Sequence, residues 1–201
     1  MITLETLNQA VFLYLNADLS TPAWKLNTAA VMADHLIFLI PLILVTLWCW
    51  SKEPHRGLAL KACVVAFVAL GINQLLGVEW PHPRPFMMGL GHTFIPHASD
   101  SSFPSDHATV FAAVGLTLVF ANGRSVAGWV VLLLGACVAW ARVFLGVHFP
   151  LDMVGAVAVV GGVWVGISPI WRRMGEEWTS IVTEIYRAIL VRPIALGWIR
   201  R

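Results

Sequence analysis

The chain has 201 residues, of which 58% are hydrophobic and 12% are charged, and its mean hydropathy is +0.77. These values exclude an ordinary soluble globular domain and predict an all-α, polytopic membrane helical bundle. The formal net charge of +2, spread over several connections, gives no support for nucleic-acid binding.

The predicted elements begin with a short N-terminal helix. The stretch LNQAVFLYL, within residues 1–22, is typical of a helix that lies at the membrane interface or inserts partly. Five stretches apolar enough to cross a bilayer follow, at about 34–50, 57–78, 107–121, 126–146 and 152–171. At roughly 20 residues per span, the length accommodates about five or six spans, so we expect a single membrane domain over residues 1–201.

The C-terminal segment, residues 175–201, has a different pattern. It carries apolar residues at helical spacing, such as Trp178, Ile181 and Ile185, and charged residues elsewhere on the helical wheel. This pattern predicts an amphipathic helix on the cytoplasmic face of the membrane. Packing of the segment against the chain's own bundle is the alternative.

Basic residues occupy alternate connections between the apolar stretches. They are Lys52, Arg56 and Lys61 around the start of the second stretch, Arg124 before the fourth, and Arg172 and Arg173 after the fifth. The positive-inside rule assigns these connections to the cytoplasm. The other two connections, residues 79–106 and 147–151, are therefore predicted to face outward.

Six polar or ionisable side chains map to this outer layer: Arg84, Ser105, His107, Arg142, His148 and Asp152. Taken singly, each has a structural explanation as an interface arginine, a helix cap or a helix-end histidine. Together they indicate a site, because ionisable groups at membrane depth are costly and mainly line cavities or pair with one another.

The residue types in this layer suit the handling of phosphate. Ser105 is expected to cap a helix that begins near Asp106, and the N-terminus of a helix favours anions. His148 lies four residues before Asp152. A carboxylate that accepts the Nδ1 proton leaves the other ring nitrogen of the histidine as a candidate nucleophile.

The remaining three side chains complete a set for phosphoryl transfer. Arg84 and Arg142 are expected to hold phosphate oxygens and to counter the charge of the transition state. His107 is a candidate general acid for the leaving oxygen. Two arginines beside the site repel a cation, so we predict neither a metal site nor a cofactor.

Three segments of the chain resemble the three-part signature of the type 2 phosphatidic acid phosphatase (PAP2) superfamily. They are GVEWPHPRP at 77–85, PSDH at 104–107 and ARVFLGVHFPLD at 141–152, so that the signature region covers residues 77–152. The resemblance implies a helical membrane bundle with a phosphohistidine mechanism. It implies His148 as nucleophile, Asp152 as its orienting carboxylate, His107 as general acid, and Arg84, Ser105 and Arg142 as phosphate-binding residues.

The chain departs from this signature at three positions. Gly77 replaces a lysine, Asp106 replaces a glycine, and Ala141 replaces a serine. Glu79 cannot replace the missing cation, and we expect it to contact Arg84 or a group of the substrate. Asp106 adds negative charge beside the general acid, and both acidic residues are therefore candidates for an auxiliary role.

Among members of the superfamily, the three segments are most similar to bacterial undecaprenyl-diphosphate phosphatases. This resemblance implies hydrolysis of an isoprenoid lipid diphosphate to its monophosphate, at the outer face of the bacterial cytoplasmic (inner) membrane. Such a reaction recycles the carrier lipid of peptidoglycan synthesis and tends to confer bacitracin resistance. Two alternatives stay open: action on another lipid, as a phosphotransferase to lipid A or a phosphatase of phosphatidylglycerol phosphate or phosphatidic acid, and a non-catalytic lipid carrier or scramblase.

Other polar residues on the outer side are left outside the predicted site. The long connection contains His92, His97 and Asp100, and a lid over the site and a solvated linker describe it equally well. Asp34 and His35, at the outer end of the first span, are interpreted as helix-end capping residues.

Overall fold

The computed structural model describes residues 3–121 and 123–201, which fold into helices without any strand. The helices are α1 (Leu4–Leu15), α2 (Ala23–His35), α3 (Leu39–Cys49), α4 (Glu53–Glu79), α5 (Asp106–Ala121), α6 (Val126–Phe144), α7 (Pro150–Ile189) and α8 (Val191–Ala195). Two 3-10 turns, Leu36–Phe38 and Pro85–Met88, follow α2 and α4. The predicted all-α bundle is therefore confirmed.

Four helical runs in the described part of the chain are long and apolar enough to cross a membrane. They are α4, α6, α7 and the run Ala23–Cys49, which comprises α2, a 3-10 turn and α3. The protein is an integral membrane protein. The short α5, with 16 residues, is nevertheless the centre of the bundle, since ten of those residues are buried and it packs on α4, α6 and α7.

Glycines bring α5 and α6 into close contact. A Cβ atom added to Gly135 would lie 2.7 Å from Cβ of Phe111, and one added to Gly115 would lie 2.6 Å from Cδ2 of Leu132. Small residues at such positions allow two helix backbones to approach closely. The contact fixes the start of α5 relative to the end of α6, which are the two helix ends that carry His107 and Arg142.

The C-terminal segment does not form a separate interfacial helix. The first part of the segment, residues 175–189, continues α7, which is 40 residues long. The chain then returns to the bundle, because the Arg200 backbone N–H donates to the Cys49 carbonyl at 2.8 Å and the Arg56 guanidinium donates to the Arg200 carbonyl at 2.9 Å. Packing on the chain's own bundle, the alternative interpretation, describes this segment.

The predicted N-terminal helix is present as α1, and it packs against α6 and α7. Asn8 accepts the Leu151 backbone N–H at 3.1 Å, in the first turn of α7. The ring of Phe12 meets that of Phe149 edge-on, with centroids 5.2 Å apart. These contacts stabilise the start of α7, where the third signature segment ends.

Candidate active site

The three signature segments meet at one end of the bundle, around a cavity of about 320 Å³. Four of the six predicted site residues, Arg84, His107, Arg142 and His148, line the cavity. The long connection between α4 and α5 contributes further lining residues, which include His97 and Asp100. Ser105 lies between two lining residues, and Asp152 lies behind His148.

His148 and Asp152 form a buried pair. Nδ1 of His148 lies 3.0 Å from Oδ2 of Asp152, and the same oxygen accepts the Phe149 backbone N–H at 2.8 Å. This second bond fixes the carboxylate in the first turn of α7. Since the carboxylate accepts a hydrogen bond from Nδ1–H, Nε2 of His148 carries the lone pair.

The protonation state of His148 suits the role of nucleophile that the sequence predicts. Burial lowers the pKa of His148, and the nearby Arg142 and Arg84 lower it further, whereas the Asp152 contact acts in the opposite direction. The net effect is a lowered pKa, so the imidazole is neutral around pH 7. A neutral ring with its proton on Nδ1 is the form that attacks phosphorus through Nε2.

Arg84 is buried and fixed by four groups. Its Nε donates to Asp100 at 2.8 Å, and one terminal nitrogen donates to the Ser101 carbonyl at 3.1 Å. The other terminal nitrogen donates to the Val147 carbonyl at 2.8 Å and lies 3.2 Å from Nε2 of His148. The guanidinium therefore contacts Nε2 of His148, the nitrogen predicted to be the nucleophile.

The two auxiliary candidates differ: Asp106 lines the cavity next to His107, whereas Glu79 is not among the lining residues. Glu79 is exposed, and no hydrogen bond or ion pair joins it to Arg84 within residues 3–121 and 123–201. Asp106 accepts hydrogen bonds from Asn73 at 2.9 Å and Gln74 at 3.1 Å, so its carboxylate faces α4. Asp100 of the long connection, and not Glu79, pairs with Arg84. A contact of Glu79 with a group of the substrate stays a prediction.

Arg142 is also buried, near the end of α6. One terminal nitrogen lies 2.9 Å from Nε2 of His97, and the other lies 3.8 Å from the Asp34 carboxylate. Asp34, interpreted from the sequence as a helix-end capping residue, therefore has a partner across the bundle. The Nε atom of Arg142 is buried and has no hydrogen-bond partner in the described part of the chain.

Ser105 does not form the expected side-chain cap of α5. Its hydroxyl is fully buried yet makes no hydrogen bond to any described residue. Its backbone N–H donates to the Asp152 carbonyl at 3.2 Å, which ties the start of α5 to the start of α7. Buried polar groups are nearly always satisfied, so two unpaired donors, on Ser105 and Arg142, indicate a place for an anion.

His107 lies in the first turn of α5 and lines the cavity. Its ring is half-buried, and no side chain or backbone group of residues 3–121 or 123–201 hydrogen-bonds to it. His148 and Arg142 line the same cavity. The position of His107 leaves its ring nitrogens available to a bound group.

Comparison with known proteins identifies the family. The PAP2 superfamily profile matches residues 58–176, which is more than half of the chain. The chain belongs to the PAP2 superfamily. This result confirms the resemblance seen in the three signature segments.

Individual PAP2 relatives cover most of the chain. YbjG of Escherichia coli is 36% identical over 199 residues, covering 98% of this chain and 99% of that protein. The undecaprenyl-diphosphatase BcrC of Bacillus subtilis is 32% identical, covering 79% of this chain and 81% of that protein. The crystal structure of the PAP2 phosphatidylglycerolphosphate phosphatase of Bacillus subtilis is similar in fold, with a TM-score of 0.59, 20% identity, and coverage of 84% and 86%.

The two small residues that depart from the PAP2 signature have different surroundings. Gly77 lines the cavity, and a Cβ atom added to it would lie 3.4 Å from Cβ of Ser101. Ala141 is fully buried in an apolar cluster that includes Ala33 of α2 and Leu145. A side chain at residue 77 would therefore reach the cavity, whereas residue 141 belongs to the packing between α2 and α6.

Sequence reasoning missed His97 and Asp100 as members of the site. The connection that carries them is fixed at one end by the Phe94 N–H, which donates to the Leu145 carbonyl at 3.1 Å. At its other end the Ser102 N–H donates to the His82 carbonyl at 2.8 Å. The signal available in the sequence was the dense group of histidine, aspartate and serine in HASDSS, at residues 97–102.

Proposed function

We propose that this protein is an undecaprenyl-diphosphatase, which hydrolyses undecaprenyl diphosphate to undecaprenyl phosphate and inorganic phosphate. The observation that carries this proposal is the convergence of the buried His148–Asp152 pair with Arg84 and Arg142 on one cavity. The substrate follows from similarity, since BcrC of Bacillus subtilis, 32% identical to this chain, is an undecaprenyl-diphosphatase.

In the first step, Nε2 of His148 attacks the terminal phosphorus of the diphosphate. The bond from that phosphorus to the bridging oxygen breaks, and undecaprenyl phosphate leaves with the bonding electron pair. His107 donates a proton to the leaving oxygen, while Asp152 stabilises the positive charge that develops on the ring of His148. The product of this step is a phosphohistidine.

In the second step, water attacks the phosphorus of the phosphohistidine. His107, now neutral, accepts a proton from that water, and the bond from phosphorus to Nε2 breaks. Inorganic phosphate leaves, and His148 regains its lone pair. The two arginines and the unpaired Ser105 hydroxyl bind the phosphate oxygens through both steps.

The proposed location is the cytoplasmic membrane of a bacterium, with the site on the outer face. The support is the placement of basic residues: Arg56 lies in the first turn of α4, Arg124 lies between α5 and α6, and Arg172 lies in α7 near the start of α4, all away from the cavity. A cavity at the outer end of the helices suits a lipid whose headgroup lies at the interface. There the reaction would recycle the carrier lipid and lower sensitivity to bacitracin.

The decisive experiment measures phosphate release from undecaprenyl diphosphate by the detergent-purified protein in excess EDTA, for the wild type and for His148→Ala. We expect release that survives EDTA and is lost in the variant, together with an acid-labile phosphoprotein trapped only in the wild type. No release from a folded wild type would reject the proposed substrate. Label transferred to an added lipid instead of to phosphate would identify a phosphotransferase.

A further inference from the structure

The connection between α4 and α5 places two side chains, His97 and Asp100, on the two arginines of the site. We propose that His97 and Asp100 are positioning residues that set the orientation of Arg142 and Arg84 toward the bound phosphate. This inference rests on the proposed function, because it assigns those arginines to the phosphate. Neither residue belongs to the three signature segments.

The contact between Asp100 and Arg84 is a salt bridge between an exposed and a buried group. Oδ1 of Asp100 lies 2.8 Å from Nε of Arg84, and the two side chains are 61% and 5% exposed. Partial burial raises the pKa of Asp100, but the hydrogen bond and charge of Arg84 outweigh it, and the net pKa is lowered. An ionised carboxylate at Nε fixes the plane of the guanidinium, whose two terminal nitrogens then face His148 and the connection.

The contact between His97 and Arg142 fixes the tautomer of the histidine. A guanidinium nitrogen only donates hydrogen bonds, so Nε2 of His97, 2.9 Å from Arg142, must accept. Nδ1 then carries the proton and donates to the Ala98 carbonyl at 3.1 Å. His97 therefore acts as a neutral acceptor that holds one terminal nitrogen of Arg142.

The four side chains form a continuous row across the cavity. Nδ1 of His97 lies 3.8 Å from Oδ1 of Asp100, so the row runs from Arg142 through His97 and Asp100 to Arg84. The ring of His97 also meets that of His148 edge-on, with centroids 6.1 Å apart. One negative charge between two guanidiniums offsets their mutual repulsion, which favours a short separation between the two arginines.

Anchoring of the connection makes this row rigid. Besides the bonds at its two ends, the His82 N–H donates to the Ser101 hydroxyl at 3.1 Å. Asn16, the C-cap residue of α1, donates to the His92 carbonyl at 2.9 Å and accepts the His92 N–H at 2.7 Å. A connection held at several points transmits a fixed geometry to the arginines, whereas a solvated linker would not.

The test compares two substitutions at residue 97 that differ in one property. His97→Gln keeps an acceptor that reaches Arg142, and His97→Leu removes the acceptor while it keeps a similar volume. The matched control is His92→Leu in the same connection, because the bonds of His92 to α1 involve its backbone. For each variant, kcat and KM for undecaprenyl diphosphate and the Kd for inorganic phosphate are measured, beside the thermal unfolding midpoint.

We expect His97→Leu to lower kcat/KM and to weaken phosphate binding, each by about tenfold or more, because a hydrogen bond to a charged group is lost. His97→Gln should restore both values to within about threefold of the wild type, and His92→Leu should stay within about twofold. Asp100→Asn should weaken phosphate binding, with partial rescue by Asp100→Glu.

Two outcomes would overturn the inference. In the first, His97→Leu and His97→Gln are equal to each other in all three quantities, which shows that the acceptor at residue 97 has no role. In the second, Asp100→Asn binds inorganic phosphate more tightly than the wild type, which shows that Asp100 competes with phosphate for Arg84. If the wild type binds inorganic phosphate but does not hydrolyse undecaprenyl diphosphate, the proposed function fails while the binding data still test this inference.

Discussion

Arg84 donates toward the nitrogen that the proposed reaction uses as nucleophile, since one terminal nitrogen of its guanidinium lies 3.2 Å from Nε2 of His148. The lone pair on Nε2 thus accepts a hydrogen bond from Arg84. Attack on phosphorus requires the guanidinium to move from Nε2 onto a phosphate oxygen. In the proposed mechanism, we therefore expect phosphate binding to Arg84 to free Nε2 of His148 for attack.

This relationship predicts a strong requirement for the planar guanidinium at residue 84. Arg84→Lys keeps the charge but cannot bond Asp100, Val147 and His148 from one rigid group. We expect kcat to fall by about 100-fold, with a smaller change in KM, measured by steady-state phosphate release. The same substitution at Arg187, which pairs with Glu53 at 3.0 Å at the other end of the bundle, should leave kcat unchanged.

Asp152→Asn tests whether the negative charge beside His148 is required. The amide can still accept the Phe149 N–H through its oxygen, so the start of α7 is retained, but no charge remains to stabilise the protonated ring. We expect phosphohistidine formation in a single turnover to slow by at least about 100-fold. A variant that forms phosphohistidine at the wild-type rate would remove Asp152 from the mechanism.

Ser105→Ala separates stability from phosphate binding. Because the buried hydroxyl makes no hydrogen bond within residues 3–121 and 123–201, its removal should not lower the thermal unfolding midpoint. Loss of a phosphate donor should weaken inorganic phosphate binding by about fivefold to tenfold. Thr109→Val is the control, since the Thr109 hydroxyl donates to the Ser105 carbonyl at 3.0 Å, and its loss should affect stability instead.

Gly77→Lys restores the cation of the PAP2 signature. The position lines the cavity and a Cβ atom there lies at an ordinary contact distance, 3.4 Å, from Ser101. We expect phosphate to bind about tenfold more tightly at low salt, with the gain reduced as ionic strength rises. Gly77→Met has a similar length without charge, and equal binding by the two variants would show that residue 77 does not reach the phosphate.

The neutral His148 gives a prediction about stability and pH. Its pKa in the folded protein is lowered from the ordinary value of 6.5, so the unfolded chain binds a proton first as pH falls. Stability is therefore expected to decrease as pH falls below 6.5, and the decrease ends once pH passes the folded pKa. Thermal unfolding at pH 7 and pH 5 should show a smaller decrease for His148→Gln than for the wild type.

The signature residues were predictable because the hydropathy pattern places their segments on the same side of the membrane, at or near the ends of different helices. Arg84, His107, Arg142 and His148 all line one cavity, as the outward assignment of their segments predicts. Rules based on neighbouring residues did not predict the contacts of Ser105. Its sequence position is that of a helix cap, yet its hydroxyl is unpaired and its backbone N–H is bonded to Asp152, which comes from a distant helix.

The contacts of the long connection could not be read from the sequence. His97 and Arg142 are 45 residues apart, and no periodic pattern links a residue of an irregular segment to a helix end. The contact between Asp34 of α2 and Arg142 of α6 could not be predicted either, because it joins two helices that are far apart in the sequence. The extent of α7 was missed for another reason. The continuous apolar stretch ends near residue 171 and an amphipathic pattern follows it, but the structure joins the two in one helix that runs through Pro169 to Ile189.

The enclosure of α5 within the bundle makes the reaction geometry insensitive to the thickness of the surrounding bilayer. A helix that contacts lipid tilts or shifts when the hydrocarbon thickness changes, but α5 is surrounded mainly by α4, α6 and α7. His107, at its first turn, is therefore held at a depth set by protein neighbours. Vesicles of short-chain and long-chain lipids should change how the headgroup of the substrate reaches the cavity, while the chemical step proceeds at the same rate in both.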